Sequence, residues 1–220
     1  MTLIDKAYSL EESFVIALDG PSAAGKGMIG SMLAEEFSLT YFQSSLVYRG
    51  LAYICISDQI DLQQSKQILA IAENVDIFAR IKNIDLQTEQ IGEIASQLSV
   101  IGEVRSSLGV YLQQIIKTNP RVVMEGRDIG TVIAPKADLK IFITADIKTR
   151  ANRRYKQLLL DGKECMLSDV LNSLSKRDER DKSRKSAPLI PAEDSYVIDT
   201  SHLHPDQVVQ QIKNIISTSL

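Results

Sequence analysis

The chain has 220 residues, of which 44% are hydrophobic and 24% charged, with a net charge of −3. This length and balance suit one globular domain with a buried core, and no apolar run approaches the roughly 18 residues of a transmembrane helix. The two Cys residues show no CxxC spacing, and the N-terminus lacks the basic-then-apolar order of a secretory signal. We therefore expect a cytoplasmic protein that does not bind a membrane.

Apolar runs and helical stripes alternate along the chain. Residues 14–18 form a continuous apolar run, as in a strand buried on both faces, and a stripe of apolar residues predicts a helix at 26–37. The other predicted elements are strands at 39–42, 122–124, 139–143 and 196–199 and helices at 46–56 and from 205 onwards. Strands that alternate with helices require crossover connections, so this order predicts an α/β fold with a mostly parallel sheet flanked by helices.

Two stretches interrupt this alternation. Residues 57–106 are polar and helical only in pieces, which predicts an insertion with a small structure of its own. Residues 154–188 are basic and weakly periodic, as in a helical lid. The predicted single domain, residues 1–220, thus has a core (about 13–56, 107–153 and 189–220), the insertion and the lid.

Charge is concentrated near the predicted lid. Residues 150–185 contain 11 Lys/Arg and 6 Asp/Glu, a local charge of +5, so the remainder carries −8. A basic segment of this kind can contact a polyanion. A nucleic acid is one such polyanion, but the acidic balance of the whole chain and its few aromatic residues argue against it.

Residues 20–26 fit the pattern G-x-x-x-x-G-K between a buried strand and a helix. Successive backbone N–H groups of such a P-loop wrap a phosphate, and the helix that follows directs the positive end of its dipole at the anion. Lys26 is expected to reach the β and γ oxygens, which predicts an ATP site in a fold of the P-loop NTPase type. The residues predicted to bind ATP are Gly20, Pro21, Ser22, Ala23, Ala24, Gly25, Lys26, Gly27 and Met28.

The residues after Lys26 depart from the general motif, which has Ser or Thr there as a Mg²⁺ ligand. Gly27 is what small-molecule kinases of the adenylate kinase type carry at this position, usually with Thr next, whereas Met28 follows here. Met28 can neither ligate Mg²⁺ nor donate to a phosphate. Ser22 or water is then the substitute, and a nucleotide-binding protein with weakened turnover is an alternative function.

Further motifs follow the P-loop. The longest are VVMEGRDIGT at 122–131 and RDERDKSR at 177–184, which continues into APL at 187–189. The shorter ones are YR at 48–49, ASQ at 95–97 and VR at 104–105. In this combination the chain resembles bacterial cytidylate kinases over nearly its whole length, and the insertion resembles the enlarged monophosphate-binding region of that family.

The resemblance implies transfer of the γ-phosphoryl group of ATP to CMP or dCMP, with Mg²⁺ as cofactor and a lid that closes over both substrates. The residues to which it gives catalytic roles are Lys26, Arg127, Arg153 and Arg184. No general base is required, because the acceptor phosphate, with a second pKa of about 6, is already ionised at neutral pH. No direct metal ligand is expected; Glu125 either orients Mg²⁺-bound water, as a Walker-B-like carboxylate does, or is a turn residue at a strand end.

The residues that match the family's CMP site are Ser44, Arg49, Ser96, Arg105, Arg127, Asp128, Arg177, Asp181 and Arg184. Cytosine presents an exocyclic amine beside ring acceptors, which suits a carboxylate next to a cationic or hydroxyl donor. The resemblance gives this role to Asp128, Ser96 and Arg105. It implies that Arg49, Arg127 and Arg184 hold the acceptor phosphate, for which planar guanidinium groups are well suited. It assigns the ribose hydroxyls to Ser44, Arg177 and Asp181.

Structural alternatives stay open for several of these residues. Asp128 could pair with Arg127 within its loop, Arg105 could be a solvated charge, and residues 176–185 could be a solvated helix face. The chain also departs from the family at Gln43 and Ser45, where Asp and Gly are usual around Ser44, and at Gln87, where Arg commonly precedes Thr88.

Two rival classes of function remain at this point. One is a kinase for another acceptor, such as UMP, AMP, dTMP or shikimate, and the other is the nucleotide-binding protein already mentioned. A P-loop protein that binds nucleic acid is disfavoured, because acidic residues interleave with the basic ones of the lid segment. Nothing in the sequence requires more than a monomer.

Overall fold

The sheet of this protein is parallel throughout. The computed structural model describes residues 2–74 and 76–218, and in this part of the chain five strands are hydrogen-bonded in the order β2-β3-β1-β4-β5. The strands are β1 (Phe14–Asp19), β2 (Thr40–Gln43), β3 (Arg121–Gly126), β4 (Leu139–Thr144) and β5 (Tyr196–Asp199). The predicted α/β fold is therefore confirmed.

Helices connect the strands and cover both faces of the sheet. In chain order they are α1 (Leu3–Tyr8), α2 (Lys26–Glu36), α3 (Ser45–Ser57), α4 (Ser65–Asn74), α5 (Ile77–Arg80), α6 (Glu89–Leu98), α7 (Gly102–Thr118), α8 (Ile147–Leu160), α9 (Leu167–Ser183) and α10 (Pro205–Thr218), with a π-helical turn at Ile129–Ile133. The bounds of the elements predicted from apolar patterns differ by only one or two residues from those observed. In the part of the chain that the structure describes, no helix is long and apolar enough to cross a membrane.

Two apolar cores lie on opposite faces of the sheet. Alternate residues of a strand point to opposite faces, so Val122 and Met124 of β3 pack with α3, α6 and α7, whereas Val123 packs with α2 and α10. Burial on both faces explains why the strands appear in the sequence as continuous apolar runs.

Strand register brings the functional segments together. Asp19, the last residue of β1, pairs with Gly126, the last residue of β3, and Gln43 at the end of β2 pairs with Glu125. The P-loop after β1 and residues 126–128, the GRD segment at the end of β3, therefore lie at the same edge of the sheet, where ligands of open α/β folds bind.

The predicted insertion and lid are both helical. Residues 57–106 contain α4, α5, α6 and the first turn of α7, which continues into the core without a break. Helices α8 and α9 pack through a small apolar cluster that includes Leu158 and Leu174, and Ala23 of the P-loop packs against this cluster. The division of the domain into core, insertion and lid stays a prediction.

Candidate active site

The P-loop has a backbone that only glycine can adopt at its first position. Gly20 has φ +146°, and a Cβ placed there would lie 1.9 Å from the carbonyl oxygen of Ile143. The loop ends at Gly25, which caps α2 with φ +99°. The N-terminus of α2 thus faces the space above the loop, as the motif predicts.

Lys26 folds back over this loop. Its Nζ donates hydrogen bonds of 2.8 Å to the carbonyl oxygens of Gly20 and Pro21, and its side chain is buried. Burial, followed by the charge of Arg127, lowers the pKa of Lys26 to about 7. The ammonium group is therefore held at the loop in a site that favours an added negative charge.

A cavity of about 1000 Å³ lies between the P-loop and helices α3, α8 and α9. Residues 22–29 form its floor, and Glu125 lies in its wall. The arginines that line it are Arg49, Arg127, Arg153, Arg154 and Arg177. Five guanidinium groups around one cavity suit substrates that both carry phosphate.

Backbone carbonyl groups fix Arg153 and Arg49 in place. Arg153 donates hydrogen bonds to the hydroxyl oxygen (3.0 Å) and the carbonyl oxygen (2.5 Å) of Thr200. These bonds hold its guanidinium group beside the P-loop. Arg49 donates to the carbonyl oxygen of Leu86 at 2.5 Å. Burial, followed by the charge of Arg177, lowers the pKa of Arg49 to about 10, as expected where cations are crowded together.

A row of alternating charged side chains leads from this cavity into the protein. Arg127 donates to Asp181 at 3.0 Å, and Asp181 lies 3.5 Å from Arg184. Arg184 is in turn 3.9 Å from Asp128, which forms a close ion pair with Arg105. Apart from Arg127 these side chains are at most 9% exposed, so residues 176–185, which include Asp181 and Arg184, are not merely a solvated helix face.

Several polar atoms in or near this row of charges have no hydrogen-bond partner although they are buried. Because buried polar atoms are nearly always paired, such a cluster marks a place where a polar ligand can be recognised. The atoms are Oδ2 of Asp128, Oγ of Ser96, Nε of Arg105, Nη2 of Arg184 and Nε of Arg177. Ser96 is connected to Arg105 through Ser99, whose hydroxyl donates to the carbonyl of Ser96 and whose carbonyl accepts from Arg105.

The predicted site residues thus fall into two groups. Residues 22–28, Arg49, Arg127, Arg153 and Arg177 line the cavity. The others are buried and do not line the cavity: Gly20, Pro21, Ser44, Ser96, Arg105, Asp128, Asp181 and Arg184. Asp128 pairs with Arg105 rather than with Arg127, and Arg105 is buried rather than solvated.

Asp19 is a site residue that the sequence patterns did not predict. Its two carboxylate oxygens accept backbone N–H groups of Ile129 (2.9 Å) and Gly130 (2.8 Å), directly after the GRD segment. Burial raises the pKa of Asp19 to about 6. The sequence signal was present, since a lone carboxylate ends an otherwise apolar strand immediately before the P-loop.

Comparisons with known proteins identify the family of this chain. A family model described as cytidylate kinase matches residues 16–218. The chain is 52% identical to a cytidylate kinase of Rickettsia rickettsii (strain Sheila Smith), over 98% of this chain and 97% of the relative. It is 53% identical to one of Rickettsia canadensis (strain McKiel), over 96% of each. Shikimate kinase from Acinetobacter baumannii, solved in complex with shikimate, is 15% identical with a TM-score of 0.51 over 96% of this chain and 97% of that chain, which shows a shared fold. The chain therefore belongs to the cytidylate kinase family.

Proposed function

We propose that this protein transfers the γ-phosphoryl group of ATP to CMP or dCMP. The P-loop is the donor site, and the buried row of charges from Arg127 to Arg105 is the acceptor site. Membership of the cytidylate kinase family and relatives of that name support the activity. The observation that carries the acceptor assignment is the buried set of Asp128, Arg105 and Ser96 with unpaired polar atoms. A cytoplasmic monomer remains our expectation from the sequence.

Base recognition follows from the atoms that are left unpaired. Oδ2 of Asp128 is a buried acceptor that suits the exocyclic amine of cytosine, while Arg105 and Ser96 offer donors to its ring acceptors. Uracil has a carbonyl oxygen where cytosine has this amine, so it would bring two acceptors together. Two buried acceptors that face each other without a proton between them cost binding free energy. We therefore expect CMP to be preferred over UMP.

The remaining arginines are arranged for two phosphate groups. Arg127 and Arg184 flank Asp181 and are assigned, with Arg49, to the acceptor phosphate. Asp181 and Arg177, with Ser44, are assigned to the ribose hydroxyls. On the donor side Lys26 and the loop N–H groups hold the β and γ phosphates, and Arg153 lies next to them through its bonds to Thr200.

The chemistry then requires positioning and charge compensation. The acceptor oxygen is ionised at neutral pH, so no side chain has to remove its proton. Lys26, Arg127, Arg153 and Arg184 offset the charge that spreads over the transferring group in an in-line displacement. Packing of Ala23 against the apolar cluster of α8 and α9 supports a lid at residues 154–188, which would exclude water and suppress hydrolysis of ATP.

Mg²⁺ fits this site through oxygen atoms. Oε2 of Glu125 is buried without a hydrogen-bond partner in the cavity wall, and a carboxylate oxygen is the kind of ligand that Mg²⁺ prefers. Within residues 2–74 and 76–218 no group of three or more His, Cys, Asp or Glu side chains is arranged to hold a metal. Glu125 would hold Mg²⁺ through water, and the ion would offset negative charge on the phosphates of ATP.

The second candidate, a nucleotide-binding protein with weakened turnover, rests on Met28. This side chain is 61% exposed in the cavity floor, at a position where Thr is usual in related kinases. Comparison of wild type with Met28→Thr separates the two functions. Binding of ATP without turnover, followed by turnover in the variant, would support the second candidate.

The direct test is formation of nucleoside diphosphates from ATP and a panel of CMP, dCMP, UMP, AMP and dTMP. We expect CMP and dCMP to give the highest kcat/KM. Equal values for AMP would contradict the cytosine assignment.

A further inference from the structure

A polar cluster lies below Gly27, where the hydroxyl of the general P-loop motif would project. A Cβ placed on Gly27 would be 3.4 Å from Oη of Tyr41, 3.6 Å from Nε2 of Gln43 and 3.8 Å from Oε2 of Glu125. These are ordinary contact distances. Atoms of β2 and β3 therefore surround the place that a Ser or Thr side chain occupies in the general motif.

Tyr41 is held in this place by a second glycine of α2. A Cβ on Gly30 would lie 2.6 Å from Cε2 of Tyr41, so the ring packs directly against the helix backbone. The Tyr41 oxygen accepts a hydrogen bond of 2.9 Å from Nε2 of Gln43. Since the amide supplies that proton, the hydroxyl proton of Tyr41 is left for another acceptor.

Glu125 is the acceptor next to this hydroxyl. Its buried Oε2 has no hydrogen-bond partner, and both Oε2 and Oη of Tyr41 lie within 4 Å of the point where a Cβ on Gly27 would stand, so the carboxylate is within reach of this proton. Gln43 and Glu125 also line the cavity, together with Met28, which carries no polar atom that could face a metal-bound water. The polar groups next to Gly27 are thus supplied by the sheet rather than by α2.

We propose that Tyr41 and Gln43 are positioning residues that hold the Glu125 carboxylate towards Mg²⁺-ATP, in place of the hydroxyl missing after Lys26. Residues that orient a metal-facing carboxylate through hydrogen bonds tune the affinity for the metal although they do not touch it. This inference rests on the donor site of the proposed function. It explains how the chain can carry Gly27 and Met28 and still place a metal ion beside the phosphates.

The test uses Tyr41→Phe, which keeps the ring on Gly30 and removes only the hydroxyl. The quantity measured is the dissociation constant of ATP in EDTA divided by that in saturating Mg²⁺. Both are obtained by titration calorimetry without any acceptor. We expect this ratio to fall by about 10-fold in Tyr41→Phe, the lower end of the usual effect of such partners, with the EDTA value unchanged. Tyr111→Phe, on the exposed side of α7, is the matched control and should leave the ratio as in wild type.

Gln43→Leu and a rescue variant complete the test. Gln43→Leu should lower the ratio in the same direction, and it carries the test if Tyr41→Phe fails to fold. Adding Gly27→Ser to Tyr41→Phe should restore most of the ratio, because its Cβ fits and its hydroxyl supplies the missing oxygen. An unchanged ratio in both single variants, or an equal loss with and without Mg²⁺, would overturn the proposal. Absence of CMP phosphorylation by wild type would instead contradict the proposed function, since the ratio is measured without CMP.

Discussion

The carboxylate of Asp128 forms an ion pair with the guanidinium of Arg105, and both side chains are only 7% exposed. The pair occupies Oδ1 of Asp128 and leaves Oδ2 buried without a hydrogen-bond partner. Arg105 also lies over the ring of Tyr48, with 5.6 Å between its central carbon and the ring centroid. A fixed carboxylate with one free oxygen is the arrangement that an exocyclic amine requires.

Asp19 is expected to control the acceptor site although it does not line the cavity. Asp19→Asn replaces one of the two oxygens that accept Ile129 and Gly130 N–H groups with a donor. We expect a loss of about 1–3 kcal/mol in unfolding free energy, as for an unsatisfied buried group, and a rise in KM for CMP that exceeds the rise for ATP. Urea denaturation and steady-state kinetics measure the two effects. A KM for ATP that rises as much as that for CMP would contradict a specific link to the GRD segment.

Binding of ATP should take up a proton at pH 8. Lys26 in the free protein has its pKa lowered to about 7 by burial, so it is mostly neutral at pH 8, and phosphates beside it raise that pKa again. ATP itself is ionised at this pH, because the phosphate pKa is about 6. Titration calorimetry in buffers with different ionisation enthalpies measures the uptake, which should be smaller at pH 6 and should vanish in Lys26→Met. An uptake that Lys26→Met leaves unchanged would show that another group titrates.

Ion pairs join the predicted lid to the predicted insertion. Arg180 of α9 donates two bonds of 2.6 Å to Glu93 of α6, and Arg154 of α8 pairs with Glu89 of α6. Glu93→Gln should change the unfolding free energy by less than about 1 kcal/mol, as for an exposed pair. It should nevertheless raise KM for CMP several-fold, because lid and acceptor region then close less readily.

The control for this pair is Glu103→Gln, an exposed charge at the start of α7. High salt should reduce the difference between wild type and Glu93→Gln, since exposed charges are screened. The hydrogen bonds from Arg180 lower the pKa of Glu93 to about 2, so the difference should persist from pH 7 down to pH 5. A KM equal to that of wild type at low salt would show that the pair does not contribute to closure.

Gly20 and Gly102 offer a matched comparison of two glycines. Gly20→Ala forces a Cβ onto the Ile143 carbonyl at a φ of +146°, whereas a Cβ on Gly102 meets no atom within 4 Å. We expect Gly20→Ala to lose about 3 kcal/mol or more and to abolish ATP binding. Gly102→Ala, at the first turn of α7, should be neutral or slightly stabilising. Thermal denaturation of both variants checks this, and equal melting temperatures would contradict the geometry of the loop.

The strands and the P-loop could be predicted from the sequence because their signals are local. A strand buried on both faces is an apolar run, and residues 20–26 carry their spacing in the chain itself. The insertion was predicted only as helical pieces, since α4, α5 and α6 are short and expose much of their surface. A lone carboxylate at the end of an apolar strand singles out Asp19 in the sequence, but its bonds to Ile129 and Gly130 could not be predicted, because they join segments far apart in the chain. The same holds for the neighbourhood of Tyr41 and Glu125, which lie on different strands.

The measurement that tests base recognition most directly is kcat/KM for CMP and UMP in wild type and Asp128→Asn, with ATP affinity measured in parallel. Removing a buried charged acceptor should lower kcat/KM for CMP by about 10- to 100-fold, the equivalent of one hydrogen bond to a charged group. The amide of the variant can donate to the uracil carbonyl, so kcat/KM for UMP should stay level or rise, and the dissociation constant of ATP should not change. Equal losses for CMP and UMP, or a matching loss of ATP affinity, would show that Asp128 does not recognise the base.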